Sequence, residues 1–356
     1  MAMIHNYSAG PCILPKEVFQ EASNSIMNFN GLDLSLIEIS HRSKDFIEVM
    51  EEARNLVKDI LGISDEYDIL FLQGGASLGF LTTAYNMMRE NKTGGYLVTG
   101  SWAKKAAKEA SFMGQSKIIA SSEDRNFNYI PKDYTLPNDI DYFHITSNNT
   151  IFGTQVKNFN NSSIPLVCDM SSDIFSKAIN VNDFDIIYAG AQKNMGPAGT
   201  TLYIFKKEIL GKSSVPIPTM LDLKTHADKD SMFNTPPVFA VYTSMLTLRW
   251  LKKNGGIETI EKHNQQKADL IYNEIDRNSL FEGTANLPDR SNMNATFVLT
   301  NEEVKSDFDH MLEEANISGL KGHRSVGGYR ASMYNALTID SVKVLVEIMR
   351  EFRRTI

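Results

Sequence analysis

Between about residues 67 and 207, short apolar runs that end in Gly, Ser or Asn alternate with longer segments whose apolar residues recur at helical spacing. The runs are "DILFLQGG", "GGYLVTGS", "DYFHITSNN", "IPLVCDMSS", "FDIIYAGA" and "TTLYIFKK". They are apolar on successive positions rather than on alternate ones, which is the pattern of strands covered on both faces and therefore of a mainly parallel sheet. "SLGFLTTAYNMMRE" and "SWAKKAAKEASFM" read as two of the covering helices. After a proline-rich link, "VPIPTM" to "NTPPVF", a long helical pattern runs from Val241 to Ile275 and is broken at Gly255-Gly256. "NATFVLTNEEVKSDFDHMLEEANI" then reads as strand followed by helix. The expected class is α/β, with an N-terminal segment (1–15), a large domain with a mainly parallel sheet flanked by helices (16–260) and a smaller C-terminal α+β domain (261–356). No internal repeat or low-complexity tract interrupts this order.

Composition narrows the function more than the fold. The 356 residues are 42% hydrophobic and 22% charged, enough for a sizeable core and about two domains. Against 43 Asp+Glu stand 36 Lys+Arg, a formal charge of -7, and no basic stripe interleaves with aromatics. A nucleic-acid surface is not expected, and a small-molecule partner is. The two cysteines, Cys12 and Cys168, lie far apart without metal-ligand spacing, so neither a zinc site nor a disulfide framework is predicted and a reducing compartment is. With no apolar run of membrane-spanning length and no basic-then-apolar start, the expectation is a cytosolic protein without membrane contact.

In open α/β sheets the chemistry gathers where strands end at their carboxyl edge. Asp169 closes "IPLVCD", Lys193 follows "FDIIY", Thr150 ends "SNNT", and the glycines of "QGGAS" follow "DILFLQ". A lysine desolvated at strand ends is shifted toward its neutral amine, which can form a Schiff base with an aldehyde. Alone it could equally snorkel to water or pair with a carboxylate. A carboxylate buried on the neighbouring strand needs a cation, and a protonated pyridine nitrogen would serve; an aspartate there keeps pyridoxal phosphate an electron sink. Taken singly, Asp169 could also be a helix N-cap. "QGGASLGF", between strand and helix, offers backbone N–H groups and the Ser77 hydroxyl to a phosphate, while Trp102 after "YLVTGS" offers a ring face for stacking or for core packing.

A hydrolase is the rival reading. "GASLG" fits the G-x-S-x-G nucleophile elbow, and Ser77, Asp169 and His323 fall in Ser, Asp, His order. Against it stand the missing "HGGG"-like segment upstream and a Lys193 left without a role. A non-catalytic scaffold, the third reading, would not need arginine and histidine grouped in loops. "EISHRSKDF" carries His41 and Arg42; "KGHRSVGGYRASMYNAL" carries His323, Arg324 and Arg330. Arginine binds carboxylate or phosphate through two parallel hydrogen bonds, and histidine adds a donor that gains charge near neutral pH. Either group could be a solvated surface pair. Together, on an acidic chain, they point to a substrate with two anionic ends.

Taken together, "YSAGPCILP", "EISHRSKDF", "LQGGAS", "GSWAKKA", "NNTIFGT", "CDMSSDI", "YAGAQKNMGPAG", "MFNTPP" and "GHRSVGGYRASMYNA" resemble the phosphoserine aminotransferase family of the fold-type I, class-V pyridoxal-phosphate enzymes, over nearly the whole chain. The resemblance implies Lys193 as the Schiff-base lysine, Asp169 on the pyridine nitrogen, Trp102 on the ring face and Thr150 near the ring hydroxyl. It implies Ala76, Ser77 and Gln192 around the phosphate, with Asn234 and Thr235 reaching the phosphate of a neighbouring subunit in a homodimer. His41, Arg42, His323, Arg324 and Arg330 resemble the substrate-binding set. The implied reaction moves an amino group from glutamate to 3-phosphohydroxypyruvate, giving O-phosphoserine and 2-oxoglutarate, and leaves open the erythrose-derived phosphorylated keto acid of pyridoxine synthesis as a second substrate. Some family members carry arginine where this chain has Ser77, which shifts weight to His41 and Arg42. Within the same cofactor class, a cysteine desulfurase or an alanine-glyoxylate type aminotransferase is the alternative. The desulfurase needs a mobile cysteine, and Cys168 lies inside a strand candidate while Cys12 sits in a proline-flanked turn.

Overall fold

The structure, a computed structural model, describes residues 3–159 and 163–356. Its centre is a seven-stranded sheet formed by β1 (Tyr67–Gln73), β2 (Thr93–Val98), β3 (Gln115–Ser121), β4 (Tyr142–Thr146), β5 (Leu166–Asp169), β6 (Ile186–Gly190) and β7 (Thr200–Lys206). The spatial order is β1-β7-β6-β5-β4-β2-β3. Strands β2 to β6 pair in parallel; β7 runs antiparallel to both β6 and β1. The apolar run "TTLYIFKK" is therefore the exception to the parallel expectation. Because β7 is reversed, its first residue, Thr200, comes to the same edge as the carboxyl ends of the other six.

Strand β3 has no counterpart among the apolar runs. It is an edge strand whose residues are exposed or half-exposed, "QSKIIAS", so the solvated strand lacks the apolar signature that marks the central ones. Helices α1 (Lys16–Met27), α2 (Lys44–Leu61), α3 (Gly75–Met87), α4 (Ser101–Ala110), α5 (Leu223–Ala227), α6 (Val238–Lys253) and α7 (Gly256–Arg277) complete this part. On one face α2 and α6 bury Phe46, Met50, Val57 and Met245 with Phe71 and Ile187 of the sheet. On the other, α3 and α4 bury Phe80, Ala84 and Ala107 with Tyr96, Val98 and Tyr203. Each such large side chain taken from water contributes about 1.5–3 kcal/mol, and burial on both faces accounts for the continuous apolar runs.

The helical pattern across 241–275 is two helices, parted at Gly255 (φ +91°) and Gly256 (φ +67°). A three-stranded antiparallel sheet of β8 (Phe281–Gly283), β9 (Asn294–Leu299) and β10 (Tyr329–Ser332) packs with α8 (Lys305–Glu314) and α9 (Ile339–Thr355). α7 joins both cores: Ile260 lies in the large cluster, Ala268, Ile271 and Ile275 in the smaller. The N-terminal segment belongs with the smaller part, since His5–Asn6 pairs with Ile317–Ser318 and Tyr7 is buried there, its hydroxyl donating to Ser341 O at 2.7 Å. Among the described residues no helix is long and apolar enough to cross a membrane.

Candidate active site

A cavity of about 410 Å³ opens at the carboxyl edge of the large sheet, lined by Gly74, Gly75, Ala76, Ser77, Trp102, Asp169, Ser171, Gln192, Lys193 and Thr200 among others. The local sequence explains why they meet. β5 and β6 are adjacent and in register, Asp169 facing Tyr188, so the residues just beyond each strand, Ser171 and Ala191 to Lys193, emerge side by side. β1 ends at Gln73, and Gly74 (φ +108°) and Gly75 (φ +65°) take backbone conformations that glycine adopts without strain. They turn the chain at once into α3, whose first N–H groups have no intrahelical partner and face the cavity as a ready anion site. Gly190 permits the close approach: a Cβ there would stand 3.1 Å from Ala76 N.

Lys193 is partly exposed, and its Nζ donates to Thr150 Oγ1 at 2.7 Å. Burial lowers its pKa to about 8, with nearby Asp169 opposing the shift and Arg330 assisting it. Nζ lies 5.8 Å from the centroid of the Trp102 ring. Asp169 is 4% exposed, and burial raises its carboxyl above the usual carboxylate range. Its Oδ1 accepts from the Ser171 N–H at 2.9 Å and from Ser171 Oγ at 2.6 Å, while Ser171 Oγ accepts from the Gly190 N–H at 3.0 Å. Both bonds fall on one oxygen, leaving Oδ2 to face a cation. Ser171 is a site residue that sequence reasoning missed; the signal was a serine two positions after a strand-ending aspartate, where a hydroxyl and an N–H can both reach the carboxylate.

The predicted substrate-binding residues divide. Arg330, on β10, reaches the site: its Nη1 donates to Thr150 O at 3.5 Å and its charge acts on Lys193. Its Nε is buried without a partner, and burial lowers its pKa. His323 and the exposed Arg324 stand near it, with Lys105, and burial plus these three cations hold the His323 pKa down. Lys105 was not singled out from sequence; its Nζ sits 4.5 Å from the Trp102 ring centroid. His41 and Arg42 do not line the cavity. His41 Nε2 is buried without a partner and Arg42 is exposed, just before α2. Asn234 and Thr235 are exposed and line no part of the cavity either, but Thr235 O accepts from the Gln73 side chain, beside Gly74. The proline-rich link is thus close to the Gly74-Gly75 turn of its own chain.

The hydrolase arrangement is not assembled. Asp169 Oδ1 is taken by Ser171, and His323 Nδ1 bonds Ser325 Oγ at 2.7 Å, so no Ser77–His323–Asp169 relay forms. Neither cysteine is a poised nucleophile: Cys168 is fully buried in β5, and Cys12, whose Sγ donates to Lys193 O, has its thiol pushed up to about 12 by burial.

Pyridoxal phosphate fits these residues. An aldehyde needs an amine with reduced basicity, a pyridinium needs a buried carboxylate with a free oxygen, and a phosphate needs helix-terminal N–H groups beside a hydroxyl. Lys193, Asp169 and Gly75–Ser77 supply the three around one cavity. The Trp102 Nε1 and Arg330 Nε atoms, buried without partners, are donors for bound groups.

The profile of the aminotransferase class-V family matches residues 4–345. A phosphoserine aminotransferase of Flavobacterium psychrophilum is 62% identical over 353 residues, covering 99% of each chain. Among solved structures, one described as radiation damage of the Schiff base in phosphoserine aminotransferase superposes with a TM-score of 0.97 at 45% identity over 100% of both chains. The PLP-bound phosphoserine aminotransferase of Trichomonas vaginalis gives 0.93 at 32% identity, over 98% of this chain and 100% of its own.

Proposed function

The chain belongs to the class-V aminotransferase family, and from that premise we propose the roles of its residues. The reaction is transfer of an amino group between glutamate and 3-phosphohydroxypyruvate, giving O-phosphoserine and 2-oxoglutarate, with pyridoxal phosphate as cofactor. The observation that carries the assignment is Lys193 Nζ, held by Thr150 Oγ1 at 2.7 Å in the cavity that also holds Asp169 and Trp102.

Lys193 would tether the cofactor through its amine, Asp169 would face the pyridine nitrogen, Trp102 would cover the ring, and Thr150 would lie near the ring hydroxyl. Gly75, Ala76, Ser77 and Gln192 would hold the phosphate. When bound, pyridoxal phosphate supplies a sink for the electron pair released as the substrate's Cα–H bond breaks. The chain's own part is protonic and electrostatic. Lys193 Nζ would be the base that takes the Cα proton and later gives it up; a pKa lowered by burial to about 8 suits both acts near neutral pH. Asp169 stays ionised opposite a pyridinium, because the cation offsets the desolvation that raises its pKa alone. Arg330 would bind the α-carboxylate and so orient the substrate's Cα toward Lys193, while His41, Arg42, His323 and Arg324 would take the distal anion.

The assembly we infer is a cytosolic homodimer with shared sites. Two observations support the sharing: His41 and Arg42 lie off their own chain's cavity, and their segment exposes Leu32, Leu34 and Ile37, apolar surface that a partner would cover. We place the division between large and small domains within α7, after Ile260.

The test is spectroscopic. Purified protein should show a visible band that glutamate or phosphoserine moves to shorter wavelength, and Lys193→Ala should abolish the shift. A shift that survives in the variant would remove Lys193 from its assigned role.

A further inference from the structure

Lys267 is 1% exposed, in the middle of α7, and among the described residues no carboxylate pairs with it. Its Nζ donates to Met333 O at 2.8 Å, Tyr334 O at 2.8 Å and Leu337 O at 3.1 Å. Burial pulls the amine down, to about 7, whereas three carbonyls around one nitrogen favour the ammonium, since only that form has three hydrogens to give. The carbonyls belong to the turn between β10 and α9, directly after Arg330 and its β-strand.

The same turn is fastened to the loop of Lys193. The Asn335 N–H donates to Asn194 Oδ1 at 2.9 Å, and Asn335 Nδ2 donates to Phe175 O at 2.9 Å. Asn194 Nδ2 in turn donates to Ile174 O at 2.6 Å. One helical turn before Lys267, Asn264 Nδ2 donates both to Asn335 Oδ1 at 2.9 Å and to Ser176 O at 3.0 Å. The Tyr334 hydroxyl donates to Ala9 O at 2.7 Å, in the segment whose Cys12 reaches Lys193 O. Beside the direct contact of Arg330 with Thr150 O, the fastenings on this route pass through residues 333–337, and the carbonyls of Met333, Tyr334 and Leu337 converge on one ammonium.

We propose that Lys267 is a positioning residue for transamination: by gathering the 333–337 turn it fixes Arg330, on the small sheet, relative to Lys193, in the loop after β6 of the large one. This rests on the reading of Arg330 as the carboxylate-binding residue. The inference follows from geometry. A guanidinium that binds two oxygens at once tolerates little displacement, and without the ammonium three buried carbonyls lose their donor, so the turn must shift to find others.

Holoenzyme carrying K267M, R330A or both is compared with the parent by KM and kcat for glutamate and phosphoserine, by titration of the visible band with each amino acid, and by urea unfolding. K267M is expected to keep the visible band, because the cofactor residues lie on the large sheet. It should raise KM for both substrates on the order of tenfold, with a smaller fall in kcat. In the R330A background it should add little, since both changes remove one contact. A lower urea midpoint with unchanged KM, or effects of K267M and R330A that multiply, overturns the proposal. If R330A itself leaves KM unchanged, the reading of Arg330 fails first; if R330A raises KM and K267M does not, only the role of Lys267 fails. Should K267M not yield soluble holoenzyme, K267Q, which keeps an amide donor near these carbonyls, is judged by the same criteria.

Discussion

The two halves of the site are built in opposite ways. The half that would hold the cofactor is closed within one chain. Asp169, Ser171 and Gly190 are joined by hydrogen bonds, Lys193 is held by Thr150, and all line or adjoin a single cavity. The half that would hold the substrate's anions is a set of cations without counterions. Among the described residues Arg324, Arg330 and Lys105 form no ion pair, and burial, together with these three cations, holds the His323 pKa down. The first half stabilises itself through neighbouring strand ends. The second is electrostatically unfavourable until a dianion arrives, so its binding energy is available to the substrate.

The comparison breaks first if the closed half is dispensable. Lys193→Ala should lower kcat by about 10³-fold or more, since it removes both the tether and a base of the kind that contributes about 10²–10⁴-fold. Stopped-flow turnover with saturating glutamate measures it; a loss under tenfold would place the base elsewhere. Asp169→Asn should cost about 10²–10³-fold, the scale of one preorganised electrostatic contact. It should also stabilise the cofactor-free chain. A carboxyl whose folded pKa is raised destabilises the fold as pH rises above its unfolded value near 3.8, and the neutral amide has no such penalty. A lower unfolding temperature for cofactor-free D169N at pH 7 than for the parent would contradict that account.

For the open half smaller losses are expected. Arg330→Ala removes charge-assisted bonds of roughly 1.5–3 kcal/mol, which is about 10- to 100-fold in KM for every amino acid. Arg42→Ala should weaken phosphoserine and glutamate by a similar factor and alanine hardly at all. Equal losses for all three would give Arg42 a structural role.

The same division decided what could be read from the sequence. Asp169, Lys193, Thr150 and the Gly74-Gly75 turn were legible because each ends an apolar run, and a parallel sheet brings such ends to one edge. Ser171 was missed although it lies within "CDMSSDI", because its effect depends on a side chain folding back on its own strand end. The reversal of β7 was illegible, since a strand buried on both faces reads the same in either direction. Edge strand β3 escaped for the opposite reason, having no buried face in its pattern. The cations of the open half were found by residue type, but their places were not. Lys105 reaches Trp102 by helical spacing, three positions on, and "MFNTPP" lies beside Gln73 by a tertiary contact that no local pattern announces.

A pH profile sharpens the closed half. With its pKa lowered by burial to about 8, Lys193 is mostly protonated below that value and neutral above it. From pH 7 to pH 9 its neutral fraction climbs from about 9% to about 91%, so cofactor-depleted protein should regain its visible band roughly tenfold faster at the higher pH. A midpoint above pH 10 would mean that the amine keeps its ordinary basicity and that the cavity does not desolvate it.

The smallest expected effect bears on whether the cofactor half is closed within one chain or takes a phosphate contact from a partner. Thr235 lies against Gln73 in its own chain, yet it and Asn234 are exposed and off the cavity. A symmetric dimer that exchanged this segment would give each site one chain's Lys193 and the other's Asn234 and Thr235. Lys193→Ala in one chain and paired Asn234→Ala, Thr235→Ala in the other should each be poorly active alone. In a mixed dimer the intact Lys193 of the second chain meets the intact segment of the first, while the other site carries both defects. Co-refolding should therefore restore up to about half of the parent activity per mixed dimer, one site in two. Two affinity tags isolate the mixed species. If it forms and remains as inactive as its components, while the segment variant alone is crippled, Asn234 and Thr235 act within their own chain, where Gln73 already touches Thr235, and the cofactor half is closed without exchange of this segment.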